Sequence, residues 1–245
     1  MKGEGQNQEA PRLSPFPLLP SHAIGVFGGT FDPIHFGHLR MAEELAEALN
    51  LAEIRIIPAG QPPHRGAPRT PAAHRLEMAR LAIAGNPRFK LDDREVRLAR
   101  ASYTVDTLAD LRQELGPEQP IWLLMGADAF LGLTTWKEWQ RLFELANIAV
   151  AHRPGYALLQ ADSLNAELRQ ALEKRLLGDG GKVAHPSPFH LPPSPAGSIL
   201  LLPITQLDIA ATGIRARLQE GRSARYLTPD SVLDYIQENN LYSPA

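Results

Sequence analysis

The sequence predicts an α/β protein: a Rossmann-like open parallel sheet with helices on both faces, followed by C-terminal helices. Two observations carry this. Short apolar runs alternate with segments of helical spacing, the rhythm of parallel strands joined by crossover helices. The first run, residues 23–27, stops at Gly28-Gly29 and leads through a short loop into a helical pattern. Open sheets of this kind hold ligands beyond the carboxyl ends of their strands, at such a turn.

The elements follow in order. Residues 1–22 read as a poorly ordered tail, polar at first and then broken by Pro11, Pro15, Pro17 and Pro20. A single domain is expected over 23–245. After the first strand, Leu39, Ala42, Leu45, Ala46 and Leu49 repeat at helical spacing, and 53–58 is a second strand. A loop rich in Pro and Arg covers 59–70. Helical spacing resumes over 71–85, and 89–91 is a short third strand. Thr104 opens the next helix as a plausible N-cap, with Val105, Leu108, Leu111 and Leu115 behind it. Residues 121–125 form a buried strand stopped by Gly126. A helix is expected from 135 to 146 because Trp136, Trp139 and Phe143 lie three or four apart. A strand at 148–151, an exposed helix at 160–177, a Pro-rich loop at 185–197, a strand at 198–202 and helices near 212–220 and 228–239 complete the chain.

Composition excludes several classes of function. The chain has 25 Lys+Arg and 27 Asp+Glu, a net charge of −2, which argues against a general nucleic-acid binder. It contains no Cys, so disulfides, thiolate nucleophiles and Cys-ligated metal sites are absent. No apolar run is long enough to span a membrane, and the N-terminus does not read as a signal peptide, so a cytoplasmic location is expected.

The strongest chemical signal is Gly28-Gly29-Thr30-Phe31-Asp32-Pro33-Ile34-His35-Phe36-Gly37-His38, between strand and helix. The glycines let backbone N–H groups approach a phosphate closely. His35 and His38 are three apart at a helix start, which puts both imidazoles on one face of the first turn. The helix dipole there favours an anion. Gly37 between them leaves room for a ligand. The pattern reads as a phosphate site with two donors. It is not a Walker A loop, and two His without a third ligand argue against zinc.

Other segments have readings of their own. His64 and Arg65 could grip a phosphate from the loop after the second strand, or be a solvated basic loop. Trp136 could stack on a flat ring or belong to a core stripe with Trp139 and Phe143. Asp128, just past the strand that ends at Gly126, could receive ribose hydroxyls or cap the following turn. Thr212 starts a helix and could cap it while offering a hydroxyl to phosphate, with Arg215 adding charge on the same turn.

The H-x-G-H signature in this setting resembles the nucleotidyltransferase superfamily, and within it the bacterial nicotinate mononucleotide adenylyltransferase family. The resemblance spans residues 23–243. It also rests on Pro62-Pro63-His64-Arg65, Ser102-Tyr103-Thr104-Val105-Asp106-Thr107-Leu108, Gly126-Ala127-Asp128, Thr135-Trp136, Arg153-Pro154-Gly155-Tyr156 and Ile209-Ala210-Ala211-Thr212-Gly213-Ile214-Arg215, all in the family's order. It implies ATP and nicotinate mononucleotide as partners. His35, His38 and Arg215 would be catalytic. Gly28, Gly29, Thr30, Phe31, Gly126, Asp128, Arg153 and Thr212 would bind ATP. Asp32, His64, Arg65, Tyr103, Thr104 and Trp136 would bind the acceptor, with Trp136 against the pyridine ring and Tyr103-Thr104 at the nicotinate carboxylate. Mg²⁺ would be carried in with ATP, with no metal site built from the protein. The chain departs from the family at Ala210 and Ala211, where two Ser are usual, and at Arg65, where Lys is common. A weaker grip on the triphosphate is expected from the lost hydroxyls. Transfer of AMP to nicotinamide mononucleotide or phosphopantetheine, and a non-catalytic nucleotide-binding regulator, are the alternatives. The sequence leaves a homo-oligomer open.

Overall fold

The computed structural model describes residues 22–61, 68–98, 100–153, 164–177, 194–205 and 207–243. Its centre is a six-stranded, wholly parallel sheet in the order β3-β2-β1-β4-β5-β6. The strands are β1 (Ile24–Gly29), β2 (Glu53–Pro58), β3 (Phe89–Leu91), β4 (Ile121–Gly126), β5 (Asn147–His152) and β6 (Ile199–Pro203). This is the order of the dinucleotide-binding Rossmann fold, and it reverses between β1 and β4. In register, Gly29 lies beside Pro58 and Gly126 beside Ala151, so the carboxyl ends of these strands form one edge.

Alternation along each strand builds two cores. Phe27, Leu124, Ala149 and Leu202 face one side, and Val26, Leu123, Ile148 and Leu201 the other. The first side is covered by α1 (Phe36–Ala48), α2 (Ala72–Ile83) and α9 (Asp230–Glu238). The second is covered by α4 (Thr104–Leu115), α5 (Ala127–Leu131), α6 (Leu142–Leu145) and α7 (Ala166–Arg175). A one-turn helix, α3 (Arg94–Arg97), follows β3, and α8 (Ala211–Gln219) follows β6. Ile214 of α8, Ala224 and Leu233 of α9 form a small core of their own. No helix among the described residues is long and apolar enough to cross a membrane.

Several expectations are corrected. The helix expected over 135–146 is not one helix. The chain turns through α5, 3₁₀ turns at Leu133–Thr135 and Trp139–Arg141, and the short α6. Trp136 is extended (φ −79°, ψ 148°) and Glu138 is left-handed (φ 49°), which interrupts helical bonding. Trp139 and Phe143 are nonetheless buried edge to face, with centroids 6.1 Å apart. Successive tight turns packed on one surface therefore reproduce the spacing of a helical stripe. The helix read as exposed at 160–177 is docked through Leu168 and Leu172, both fully buried. Tyr103, not Thr104, is the N-cap of α4, and Ala210, not Thr212, caps α8. The tail at 1–21 and residues 185–193 of the Pro-rich loop lie outside the described residues.

Candidate active site

The segments singled out in the sequence emerge from the carboxyl edge of the sheet. Those after β1, β4, β5 and β6 and the start of α4 are described; His64 and Arg65 lie outside the described residues.

The loop after β1 is the most constrained. Phe31 holds a left-handed backbone (φ 49°), which a bulky residue adopts at a cost of roughly 1 kcal/mol or more. Its ring lies over Gly29, where a Cβ would stand 2.6 Å from the ring, so only glycine fits there. The same ring meets His38 edge to face at 5.1 Å. Phe31 is buried, so its backbone and not its ring is what a ligand could meet. The next peptide bond, Asp32–Pro33, is cis.

His35 caps α1 and His38 lies in its first turn. As their spacing suggests, the rings stack, with centroids 3.7 Å apart at 23°. His38 Nδ1 accepts the backbone N–H of His35 at 3.3 Å. A neutral His38 therefore carries its single proton on Nε2 and can donate there. Burial lowers the pKa of His35 to about 4, and burial followed by the charge of His35 holds His38 well below the ordinary value of 6.5. Both rings are neutral at pH 7. Gly37 is needed because a Cβ would come within 3.0 Å of His35 Nδ1 and 3.4 Å of the Ile209 carbonyl oxygen. The room it makes is thus taken by the His35 ring and the approach to α8. Two contacts from the C-terminal region hold the loop from behind. Phe36 N–H donates to the Leu227 carbonyl at 3.0 Å, and Thr228 Oγ1 to that of Ile34 at 2.7 Å.

Arg215 reaches the same loop from α8. Its Nη1 donates to the Asp32 carbonyl at 2.6 Å and lies 4.0 Å from Asp32 Oδ2. The Asp32 carboxylate, expected at the acceptor, is buried and already committed. Its Oδ1 accepts the Tyr242 hydroxyl at 2.5 Å, and its Oδ2 the Arg69 N–H at 3.1 Å. Burial and the Asp32 bond push the Tyr242 pKa up, so the hydroxyl stays protonated and donates. Thr212 is exposed in the first turn of α8. Ala210 supplies no cap oxygen, so the leading N–H groups of α8 have no side-chain acceptor from the cap.

Among the described residues, the buried side-chain nitrogens and oxygens without a hydrogen-bond partner are His35 Nδ1 and Arg215 Nε. Buried polar atoms are nearly always paired. Both exceptions fall on residues that the sequence placed at a phosphate.

The remaining residues line the same edge. Asp128 is exposed at the start of α5, whose cap is Gly126. Arg153 leaves β5 and pairs with Asp208 ahead of α8, at 3.7 Å. Trp136 and Tyr103 are each partly buried against the second core. Lys137 stands 4.7 Å over the Tyr103 ring and 3.2 Å from Asp106 Oδ2, joining the Trp136 segment to the start of α4. No group of three or more His, Asp or Glu able to hold a metal occurs among the described residues.

Three residues that matter here escaped the sequence reading. Arg75 is 1% exposed and donates to the carbonyls of Thr30 (2.7 Å), Gly60 (2.9 Å) and Thr70 (3.1 Å). It sits in helical register with Ala79 and Ile83, so a charge on an apolar stripe was its signal. Glu95 is buried and accepts the hydroxyls of Ser102 (2.6 Å) and Thr107 (2.7 Å), which bracket Tyr103 and Thr104. Tyr242, near the end of the chain, had no local signal.

Residues 26–216 match the cytidylyltransferase-like family. A protein of Dechloromonas aromatica named "Probable nicotinate-nucleotide adenylyltransferase" is 54% identical over 222 residues, 91% of this chain and 98% of that protein. One of the same name from Marinobacter nauticus is 46% identical over 217 residues, 89% of this chain and 95% of its own length. The structure of Plasmodium falciparum nicotinic acid mononucleotide adenylyltransferase complexed with NaAD matches with a TM-score of 0.65 at 18% identity. It covers 90% of this chain and 97% of that one, a likeness of fold. With a matched core that runs from β1 into α8 and relatives aligned over nearly their whole length, this chain belongs to the cytidylyltransferase-like family, alongside relatives that bear the nicotinate-nucleotide adenylyltransferase name.

Proposed function

We propose that this chain is an adenylyltransferase that moves AMP from ATP to nicotinate mononucleotide, giving nicotinate adenine dinucleotide and pyrophosphate. The names of its near-full-length relatives support the reaction. The observation that carries the site is the pair of partnerless buried atoms, His35 Nδ1 and Arg215 Nε, on the two segments read as phosphate-binding.

The chemistry needs little from a general base. An acceptor phosphate monoester is largely ionised near pH 7, its second pKa being about 6. One of its oxygens attacks the α-phosphorus of ATP. The α–β bridging bond breaks, and its electron pair leaves with pyrophosphate. Positioning and charge stabilisation then carry the rate. His38 donates from Nε2 to the phosphates, and His35, stacked on it, is the second donor. Arg215 adds a fixed positive charge, and the uncapped start of α8 offers backbone N–H groups. Thr30 and Phe31 contribute backbone. Gly126, Asp128 and Arg153 take the adenosine side, while Tyr103, Thr104 and Trp136 take the pyridine ring and its carboxylate. His64 and Arg65 take the acceptor phosphate. Asp32 acts from inside the protein by holding Arg215. Mg²⁺ carried in with ATP would supply charge neutralisation at the phosphates.

The test is pyrophosphate release with ATP and Mg²⁺, comparing nicotinate mononucleotide, nicotinamide mononucleotide and phosphopantetheine. Preference for nicotinate mononucleotide is expected. Preference for another acceptor overturns the roles of Tyr103, Thr104 and Trp136. ATP binding without release from any acceptor replaces the enzyme by a nucleotide-binding regulator.

A further inference from the structure

Arg75 belongs to none of the segments that carry the family resemblance, yet it is among the most deeply buried side chains of the molecule. No carboxylate of the described residues pairs with it. Burial lowers its pKa, and Asp32 and Glu95 act on it only at longer range, raising it. An interior guanidinium without a contacting acid is costly unless its donors are used. Here they are used on backbone alone, and on three separate stretches. Nη1 takes the Thr30 carbonyl in the loop after β1. Nη2 takes Gly60, just past β2, and Nε takes Thr70, just before α2.

The choice of carbonyls matters. In a planar trans peptide the N–H points opposite to the C=O. With the Thr30 carbonyl held by Arg75, the Phe31 N–H is aimed away from the guanidinium. Gly60 and Thr70 flank, in sequence, the stretch that carries His64 and Arg65. Gly60 is itself fixed from the other side, since a Cβ there would lie 2.1 Å from the Glu95 carbonyl oxygen. Asp32 Oδ2, two residues past Thr30, accepts the N–H of Arg69, next to Thr70. The loop after β1 and the chain around 60 and 70 are therefore joined at two points, one of them a single rigid fork.

We propose that Arg75 is a positioning residue for the transfer: its guanidinium sets the triphosphate loop at Thr30–Asp32 against the acceptor side at Gly60 and Thr70. The proposal rests on the adenylyltransferase reading above. Lysine in its place keeps the charge but offers a point donor that cannot serve three carbonyls in one plane. Small misplacement of two reactants falls mainly on the chemical step.

The experiment compares wild type and Arg75→Lys in steady-state pyrophosphate release, varying ATP and nicotinate mononucleotide separately, at a temperature below the melting transition of both. The expected result is a kcat lower by about 10-fold or more, with both KM values changing less than kcat. A kcat and both KM values within about twofold of wild type overturn the proposal, as does a change in the fraction of active enzyme only. Should the variant not fold, the ¹⁵N guanidinium resonances of Arg75 in wild type decide. They are expected to exchange slowly with water and to shift on adding either the non-reactive α,β-methylene analogue of ATP or nicotinate mononucleotide. Silence toward both ligands overturns the proposal. A wild type that releases no pyrophosphate overturns the adenylyltransferase reading instead, and the two failures are thereby distinct.

Discussion

Arg75 and Arg215 reach the same short loop from different helices, and they use it differently. Each donates to one of its carbonyls, Thr30 for Arg75 and Asp32 for Arg215. Arg75 uses two further donors on Gly60 and Thr70. Arg215 leaves Nε buried without a partner. An interior cation bonded through all three of its nitrogens stiffens a frame. One with an orphaned donor, like the orphaned Nδ1 of His35, suits the proposed role of meeting a ligand. Under the proposed function, Arg75 holds the site and Arg215 meets substrate.

The sharpest way to break it is to truncate both. Arg75→Met leaves three buried carbonyls without donors, and at roughly 1–3 kcal/mol for each lost bond the expected cost is several kcal/mol. Arg215→Met loses one such bond, and is expected to cost roughly 1–3 kcal/mol, less than Arg75→Met, while lowering pyrophosphate release by about 10-fold or more. Urea unfolding together with turnover reads both. Equal stability losses would erase the distinction.

His38→Ala comes next. Loss of a donor that acts in the transition state is expected to lower kcat by about 100-fold or more, without a matching loss of stability. Near-normal turnover in the folded variant removes His38 from the chemistry.

The histidine pair also sets a pH dependence. His35 titrates near 4 when folded and near 6.5 when unfolded, so between these values the unfolded chain binds more protons. Stability is then complete above about pH 6.5 and falls as the pH drops toward 4, by up to roughly 3 kcal/mol from His35. His38 adds to it in the same direction. Urea midpoints measured from pH 7.5 to 4.5 should show this slope, and His35→Gln should flatten part of it. An unchanged slope in the variant would place the titration elsewhere.

The smallest effect concerns the start of α8. Ala210→Ser is expected to supply the missing cap, worth about 1 kcal/mol of stability, and to tighten ATP binding a few-fold. A KM for ATP that rises instead would mean that the bare N–H groups of α8 serve the phosphates better uncapped.

The build of the loop after β1 was legible because its signals are local. Gly29, His35, Gly37 and His38 lie within ten residues between a strand and a helix, and each does its work through neighbours in sequence. The two-faced parallel sheet was legible for a similar reason, since apolar strands alternate with helical spacing. The turn region from 133 to 145 was not. Periodicity records which side chains are buried, and tight turns can bury Trp139 and Phe143 as well as a helix can.

By itself, then, the sequence determined the order of elements, the carboxyl-edge location of the site and the two segments that carry His35, His38 and Arg215. Only the tertiary structure decided what holds them. Tyr242 meets Asp32 across 210 positions, Arg215 meets it across 183, and Arg75 gathers carbonyls from three loops. Such partners are chosen by where crossover connections bring the chain together and by the need of every buried polar group for a bond. Neither requirement leaves a periodic trace in the sequence.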